Sequence, residues 1–248
     1  MSAKYDLAIF KPLMNAAGTL GFAPDPRGPV DLSRFGAFVT NPISLGKRTP
    51  ARGLRYQPFA GGFLLHTGYP NSGLVETINR CQERWARSPV PIIVHLLGEK
   101  VDELPAMLHL LEAIEGVIGV ELGLPKEANS KIVRAFAEAA QGELPVIVRL
   151  PLEYAADLAA EAMRGGAAAI SLSAPRGALP ARAGNLVHGR LYGPALYAQA
   201  LAVVRQIALA GFPVIGAGGV YSLEQAQVML AAGAQAVQLD SLLWRGSW

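Results

Sequence analysis

The sequence predicts a single (β/α)8 TIM barrel over residues 1–248, and three observations carry that expectation. Eight short apolar runs recur along the chain, most are followed by a loop and a helical pattern, and the length suits one barrel. With 51% hydrophobic and 17% charged residues, the chain holds enough apolar surface for one well-buried domain.

The strand-like runs are residues 12–16, 37–41, 91–96, 119–124, 145–150, 168–173, 213–216 and 236–239. Helical patterns fall at 74–85, 101–115, 126–141, 154–164, 195–209 and 223–231. Alternation of this kind places function at the C-terminal ends of the strands. Two departures from a complete barrel stand out. The connection from 43 to 73 is long and rich in Gly and Pro, and reads as a loop covering a site. The chain also stops at Trp248 directly after the eighth run, with no residues for a final helix. Trp244 and Trp248 are therefore expected to cover that flank or to pack on a second subunit, so a homo-oligomer is expected.

Residues 211–241 are the most informative stretch. A buried-strand run stops at Gly216, Gly218 and Gly219, Ser222 stands as an N-cap before a helix, and 236–239 returns as a strand. Glycines between such a strand and helix make a phosphate cradle, because backbone N–H groups and the positive helix end converge on an anion. The other reading of these glycines is plain tight turns.

Other classes recede. A net charge of +3 without an aromatic-interleaved basic stripe argues against a nucleic-acid partner, and Lys47, Arg48, Arg52 and Arg55 read as a solvated loop. The single Cys81 excludes an internal disulfide and a multi-cysteine metal site, and fits core filling within a helical pattern. No apolar run reaches the roughly 18 residues of a membrane span and no signal-peptide pattern opens the chain, so a cytoplasmic protein acting on a small-molecule substrate is expected. HExxH, GxSxG and GxxxxGK[ST] patterns are absent, and no metal site is expected.

Five segments in this order, LMNAAGTLGF (13–22), LHTGYPNSGL (65–74), GRLYGPALYAQAL (189–201), FPVIGAGGV (212–220) and AAGAQAVQLDS (231–241), give the chain a resemblance to the dihydroorotate dehydrogenase family, especially its cytosolic class. The resemblance implies an FMN-binding barrel that oxidises or reduces a small substrate. By the same resemblance, Ala16, Ala17 and Gly18 lie under the flavin, and Gly193, Gly218, Gly219 and Ser241 hold its phosphate. Thr40 stands where the family has a Lys that touches flavin and substrate. Leu65 replaces a substrate-binding Asn, while Gly68, Asn71 and Gly73 keep the frame of that loop. His95 replaces a flavin-facing Asn, Arg149 a flavin-side Lys, and Ser173 a substrate-binding Asn.

The departures point away from dihydroorotate. The family's Asn-x-Ser-Cys-Pro-Asn turn, which supplies the base, is replaced by Glu121-Leu122-Gly123-Leu124-Pro125. Losing a positioned base costs about two to four orders of magnitude in rate. Asp240 takes the place of a Gly beside the phosphate. At about 4 Å and an effective dielectric near 20 that opposes each phosphate charge by roughly 4 kcal/mol, unless Arg190 or Arg245 neutralises it or the side chain turns away.

Among remaining candidates, His66 adjoins the covering loop's substrate position, His188 precedes Gly189, and His109 reads as a tolerated helix residue. Glu121 inside a barrel strand needs a partner, for which Arg149 is the first candidate. The leading expectation is a divergent FMN-dependent oxidoreductase acting on a small molecule other than dihydroorotate. Arg149 supports the reduced flavin in that reading, and His95 or His66 donates the proton. The second expectation is a non-catalytic relative binding a phosphorylated metabolite or a protein partner, and the third is a flavin-free barrel enzyme that uses the same cradle.

Overall fold

The computed structural model describes residues 7–181 and 185–245; Trp248 and the Arg245 side chain, both invoked above, lie outside the described residues. The chain runs β1 (Leu13–Asn15), β2 (Phe38–Val39), β3 (Tyr56–Phe59), β4 (Gly62–Leu65), α1 (Leu74–Ala86), β5 (Ile92–Leu97), α2 (Leu104–Glu112), β6 (Val117–Gly123) and α3 (Ser130–Ala139). It continues through β7 (Val146–Pro151), α4 (Ala155–Arg164), β8 (Ala169–Ser173), β9 (Arg176–Pro180), β10 (Leu186–Tyr192), α5 (Tyr197–Leu209), β11 (Val214–Ala217), α6 (Leu223–Ala231) and β12 (Ala236–Leu239). Among the described residues, eight parallel strands lie side by side in the order β1, β12, β11, β8, β7, β6, β5, β2. The two edges of that sheet meet through a parallel bridge between Met14 and Ala37, so the sheet closes into the expected (β/α)8 barrel.

A side chain holds the seam together. The Val39 N–H donates to Asn15 Oδ1 at 2.9 Å and Asn15 Nδ2 donates to the Val39 carbonyl at 2.6 Å, so one carboxamide does the work of a missing ladder rung. Asn15 is fully buried, and water cannot replace either bond.

Helices ring the barrel with their apolar stripes inward. In α1, Leu74, Thr77, Ile78, Cys81 and Trp85 are buried at the spacing of one helix face. Ser222 caps α6 by accepting from the Gln225 N–H at 3.3 Å, and that helix occupies the predicted residues. The helix expected from 126 begins instead at Ser130, because Asn129 Oδ1 accepts from the Lys131 and Ile132 N–H groups and sets the start. The pattern at 101–115 resolves into a short 3-10 turn at Val101–Glu103 followed by α2.

The larger correction concerns the segment read as a loop between 43 and 73. Its centre is a β-hairpin, β3 with β4, and β4 pairs antiparallel with β10, which pairs with β9. This four-stranded sheet lies outside the barrel ladder. Pro58 and the Gly61-Gly62 pair hide the hairpin from pattern reading, and its stabilising partner lies far along the chain. Trp244, in a 3-10 turn after β12, packs at a tilt against Phe63 and Tyr192 with ring centroids 5.9 and 6.3 Å away. Its Nε1–H donates to the Thr19 carbonyl at 3.3 Å, so it covers its own chain. No helix among the described residues is long and apolar enough to cross a membrane.

Asn15→Ala strands a buried donor and acceptor at the seam and is expected to lower the unfolding free energy by about 2–4 kcal/mol, read from urea denaturation of wild type and variant.

Candidate functional site

Side chains alternate along a strand, so residues two apart share the barrel interior. Met14, Val39, Ile93, Ile147, Ala169, Ile215 and Ala236 form an apolar interior layer. Two positions further along their strands stand His95, Arg149, Ser171 and Gln238, with Glu121 completing a polar layer. His95 and Glu121 are direct register partners on β5 and β6. His95 Nδ1 lies 2.6 Å from Glu121 Oε2, while Ser171 Oγ and Gln238 Nε2 each donate to Oε1 at 2.6 Å. Arg149 Nη1 is 3.6 Å from Oε2, an ion pair too long for a hydrogen bond.

These contacts determine the protonation states. Burial by itself raises the Glu121 carboxyl, but the Arg149 charge and the bonds from His95 and Ser171 outweigh it and hold it at about 2. Burial lowers His95 more than the Glu121 carboxylate raises it, and Arg149 and Arg190 lower it further. An ionised carboxylate only accepts, so a neutral His95 donates through Nδ1 and keeps the lone pair on Nε2. Nε2 forms no hydrogen bond among the described residues. It is the atom nearest to where a Cβ on Gly123 would stand, at 2.9 Å, so only glycine at 123 leaves it clear.

Above this layer a cavity of about 600 Å³ opens, walled by His95, Leu97, Gly123, Pro151 and Ser173 from the strand ends. Arg48, Lys126, Arg149, Arg176 and Arg190 line it against the carboxylates of Glu99 and Glu153. Burial and the neighbouring Arg190 lower the Arg176 pKa, while Glu127 and Glu153 oppose them. The Arg149 Nε–H is buried and has no partner among the described residues. A second cavity of about 300 Å³ is lined by Ala17, Gly18, Leu65, His66, Gly68, Tyr192 and Trp244, and shares Arg48, Tyr69, Arg176 and Arg190 with the first. Tyr69, with φ 52, is the one non-glycine of positive φ among the described residues; its ring stands 5.9 Å from the Arg190 guanidinium carbon.

The structure thus separates the predicted site residues. His95, Arg149 and Ser173 line the larger cavity, while Ala17, Gly18, Leu65, His66 and Gly68 line the smaller one. Asn71 lines neither; its carboxamide bonds Ser44, Tyr69 and Gly73 and shapes the loop. Thr40 is buried, with its hydroxyl accepting from the His95 N–H at 3.0 Å. Arg48, grouped above with a solvated loop, instead reaches the cavity, pairs with Glu99 and donates to the Gly68 carbonyl at 3.2 Å. Ser171 and Gln238 escaped sequence reading, although each follows an inward apolar residue by two positions. Arg176 and Tyr69 sit in loop-like sequence and carried no such signal.

The residues present do not fit FMN in the pose the family resemblance implies. Asp240 is buried, and its carboxylate accepts from the Ser241 N–H and, at 2.8 Å, from the Ser241 hydroxyl, the donors a phosphate needs. Burial raises the Asp240 carboxyl despite those bonds, and neither Arg190 nor any other described cation forms a salt bridge with it; the Arg190 Nη1 donates to the Ala174 carbonyl at 2.7 Å. Gly219, at φ +68, packs so closely that a Cβ would stand 2.4 Å from the Tyr197 nitrogen and 2.9 Å from the Gly193 carbonyl. Ala16, buried at 5% exposure, and Gly193, Gly218, Gly219 and Ser241 line neither cavity. The Tyr192 ring stacks on Phe63 at 5.5 Å beside Trp244, adding bulk at the mouth.

Because the Glu121 pKa is lower in the folded chain than its ordinary 4.5, its contribution to stability is complete above about pH 4.5 and disappears as the pH falls toward about 2. Glu121→Gln is expected to cost roughly 3 kcal/mol at pH 7 by leaving Arg149 uncompensated, and to flatten the acid limb of stability between those pH values in urea titrations.

Comparison with known proteins agrees with this architecture. The family model described as dihydroorotate dehydrogenase matches residues 5–248. The catalytic subunit of dihydroorotate dehydrogenase B (NAD(+)) from Geobacter metallireducens is 32% identical over 264 residues, covering 95% of this chain and 84% of that protein. The same subunit from Desulforudis audaxviator is 29% identical over 259 residues, covering 95% and 83%. The solved structure of DHODH from Eimeria tenella in complex with ferulenol superposes with a TM-score of 0.75 at 16% identity, covering 94% of this chain and 76% of that one, a likeness of fold. The chain belongs to the dihydroorotate dehydrogenase family.

Proposed function

We propose that this family member binds a small organic anion other than dihydroorotate at the C-terminal mouth of its barrel, without the flavin chemistry of the family. The observation that supports this reading most directly is the convergence of Arg48, Arg149, Arg176 and Arg190 on one cavity of about 600 Å³. Guanidinium forks suit carboxylate or phosphate, and the Arg149 Nε–H, without a partner among the described residues, adds a donor. Ser173 supplies one further polar contact on the same wall.

A second reading, an FMN-dependent oxidoreductase acting on a different small molecule, draws on family membership and on the Ala17-Gly18 turn at the smaller cavity. Under that reading His95 or His66 serves as proton donor. It requires Asp240 to release the Ser241 donors. The two readings differ in one visible property: a colourless purified protein that fails to take up added FMN supports the first, and a flavin absorption band supports the second.

For the anion itself, thermal unfolding in orthophosphate or malonate at constant ionic strength is expected to show a saturable rise in midpoint. Arg176→Ala is expected to weaken that apparent affinity by roughly tenfold, about 1.4 kcal/mol. A midpoint that tracks ionic strength alone, equally in wild type and variant, would count against the proposal.

A further inference from the structure

We propose that His95 and Glu121 form a base and carboxylate dyad whose free Nε2 removes a proton from the anion held by the arginines, making this a site for cofactor-independent proton transfer. The inference rests on the anion reading above and assigns it a chemistry. Three observations converge on it. Glu121 accepts from three donors and fixes the imidazole through Nδ1 at 2.6 Å. The opposite nitrogen has no hydrogen bond among the described residues, whereas a purely structural histidine at 2% exposure normally satisfies both. Gly123, a wall of the same cavity, is the residue whose missing side chain clears Nε2.

The substrate class follows from the neighbours. A base next to Arg149 and an arginine-lined cavity suits a small carboxylate or phosphate ester with an acidic C–H beside a carbonyl. In the step, that C–H bond breaks, its proton goes to Nε2, and its electron pair moves onto the carbonyl oxygen as an enolate facing the Arg149 guanidinium. Return of the proton from Nε2 restores the substrate with its hydrogen exchanged, and delivery to the opposite face of that carbon gives the epimer; neither is a net oxidation, so no redox partner is required. The charged groups acting on the ring are Glu121 from β6, Arg149 from β7 and Arg190 from β10. Burial and both arginines keep the imidazole unprotonated near neutral pH, so Nε2 is free to accept a proton, while the Glu121 carboxylate opposes the loss of basicity that they cause.

Alkylation of the intact protein by iodoacetate and by its neutral analogue iodoacetamide, mapped by mass spectrometry, tests the dyad. In that reaction the C–I bond breaks as Nε2 forms a C–N bond and iodide leaves with the electron pair. His95 is expected to be modified ahead of His66, His109 and His188, faster by iodoacetate than by iodoacetamide, with protection by orthophosphate. In Glu121→Gln the His95 rate is expected to fall at least roughly threefold and its pH midpoint to move down, because the carboxylate no longer supports ring basicity. If neither reagent labels His95 in wild type, the dyad is overturned, whether or not the variant folds. If both label it equally and phosphate gives no protection, the base survives and the anion reading fails.

Discussion

A carboxylate with no access to water is costly unless donors surround it, and the interior of this barrel is arranged around one such group. Glu121 gathers His95, Ser171 and Gln238 by hydrogen bonds from three other strands and holds Arg149 by charge. Because inward positions repeat every second residue, one layer of every contributing strand is committed to this carboxylate. The layer below is therefore free to be apolar, and the layer above to form a cavity wall. The network also fixes which imidazole nitrogen carries hydrogen, which turns a packing arrangement into one with chemical direction.

The same physics, applied to Asp240, has the opposite effect. There a buried carboxylate takes the Ser241 donors at the turn where the family resemblance puts a phosphate, and Gly219 packs against Gly193 and Tyr197. Protein supplies the anion internally. Positive charge is found instead across the mouth, on Arg176 and Arg190 from the outer sheet, and on Arg48 from the loop that leads to it. The hairpin and its partner strands are thus more than a cover: they bring guanidinium groups to a face that the barrel strands alone furnish only with Arg149 and Lys126 nearby.

Legibility in the sequence tracked the range of the interaction responsible. The barrel strands were readable because burial on both faces demands a continuous apolar run, and α6 because Ser222 caps it through a residue three positions away. Where two local signals competed, as at 126–130, the Asn129 cap prevailed over the apolar period. The hairpin β3–β4 was unreadable because its backbone is satisfied by β10, distant in sequence and itself weakly patterned. Glu121 and Arg149 were singled out as a pair on general grounds, but the partners nearest to the carboxylate are His95, Ser171 and Gln238.

By itself the amino-acid order determined the barrel and its family kinship, since both are written in local periodicity and in short segments. Tertiary structure alone decided that Asp240 turns onto Ser241, that Arg48 faces inward, and that His95 is held by Glu121 with its other nitrogen clear. The physical reason is that a side chain's charge and proton depend on which groups surround it in space, and in a closed barrel those groups come from strands separated by tens of residues.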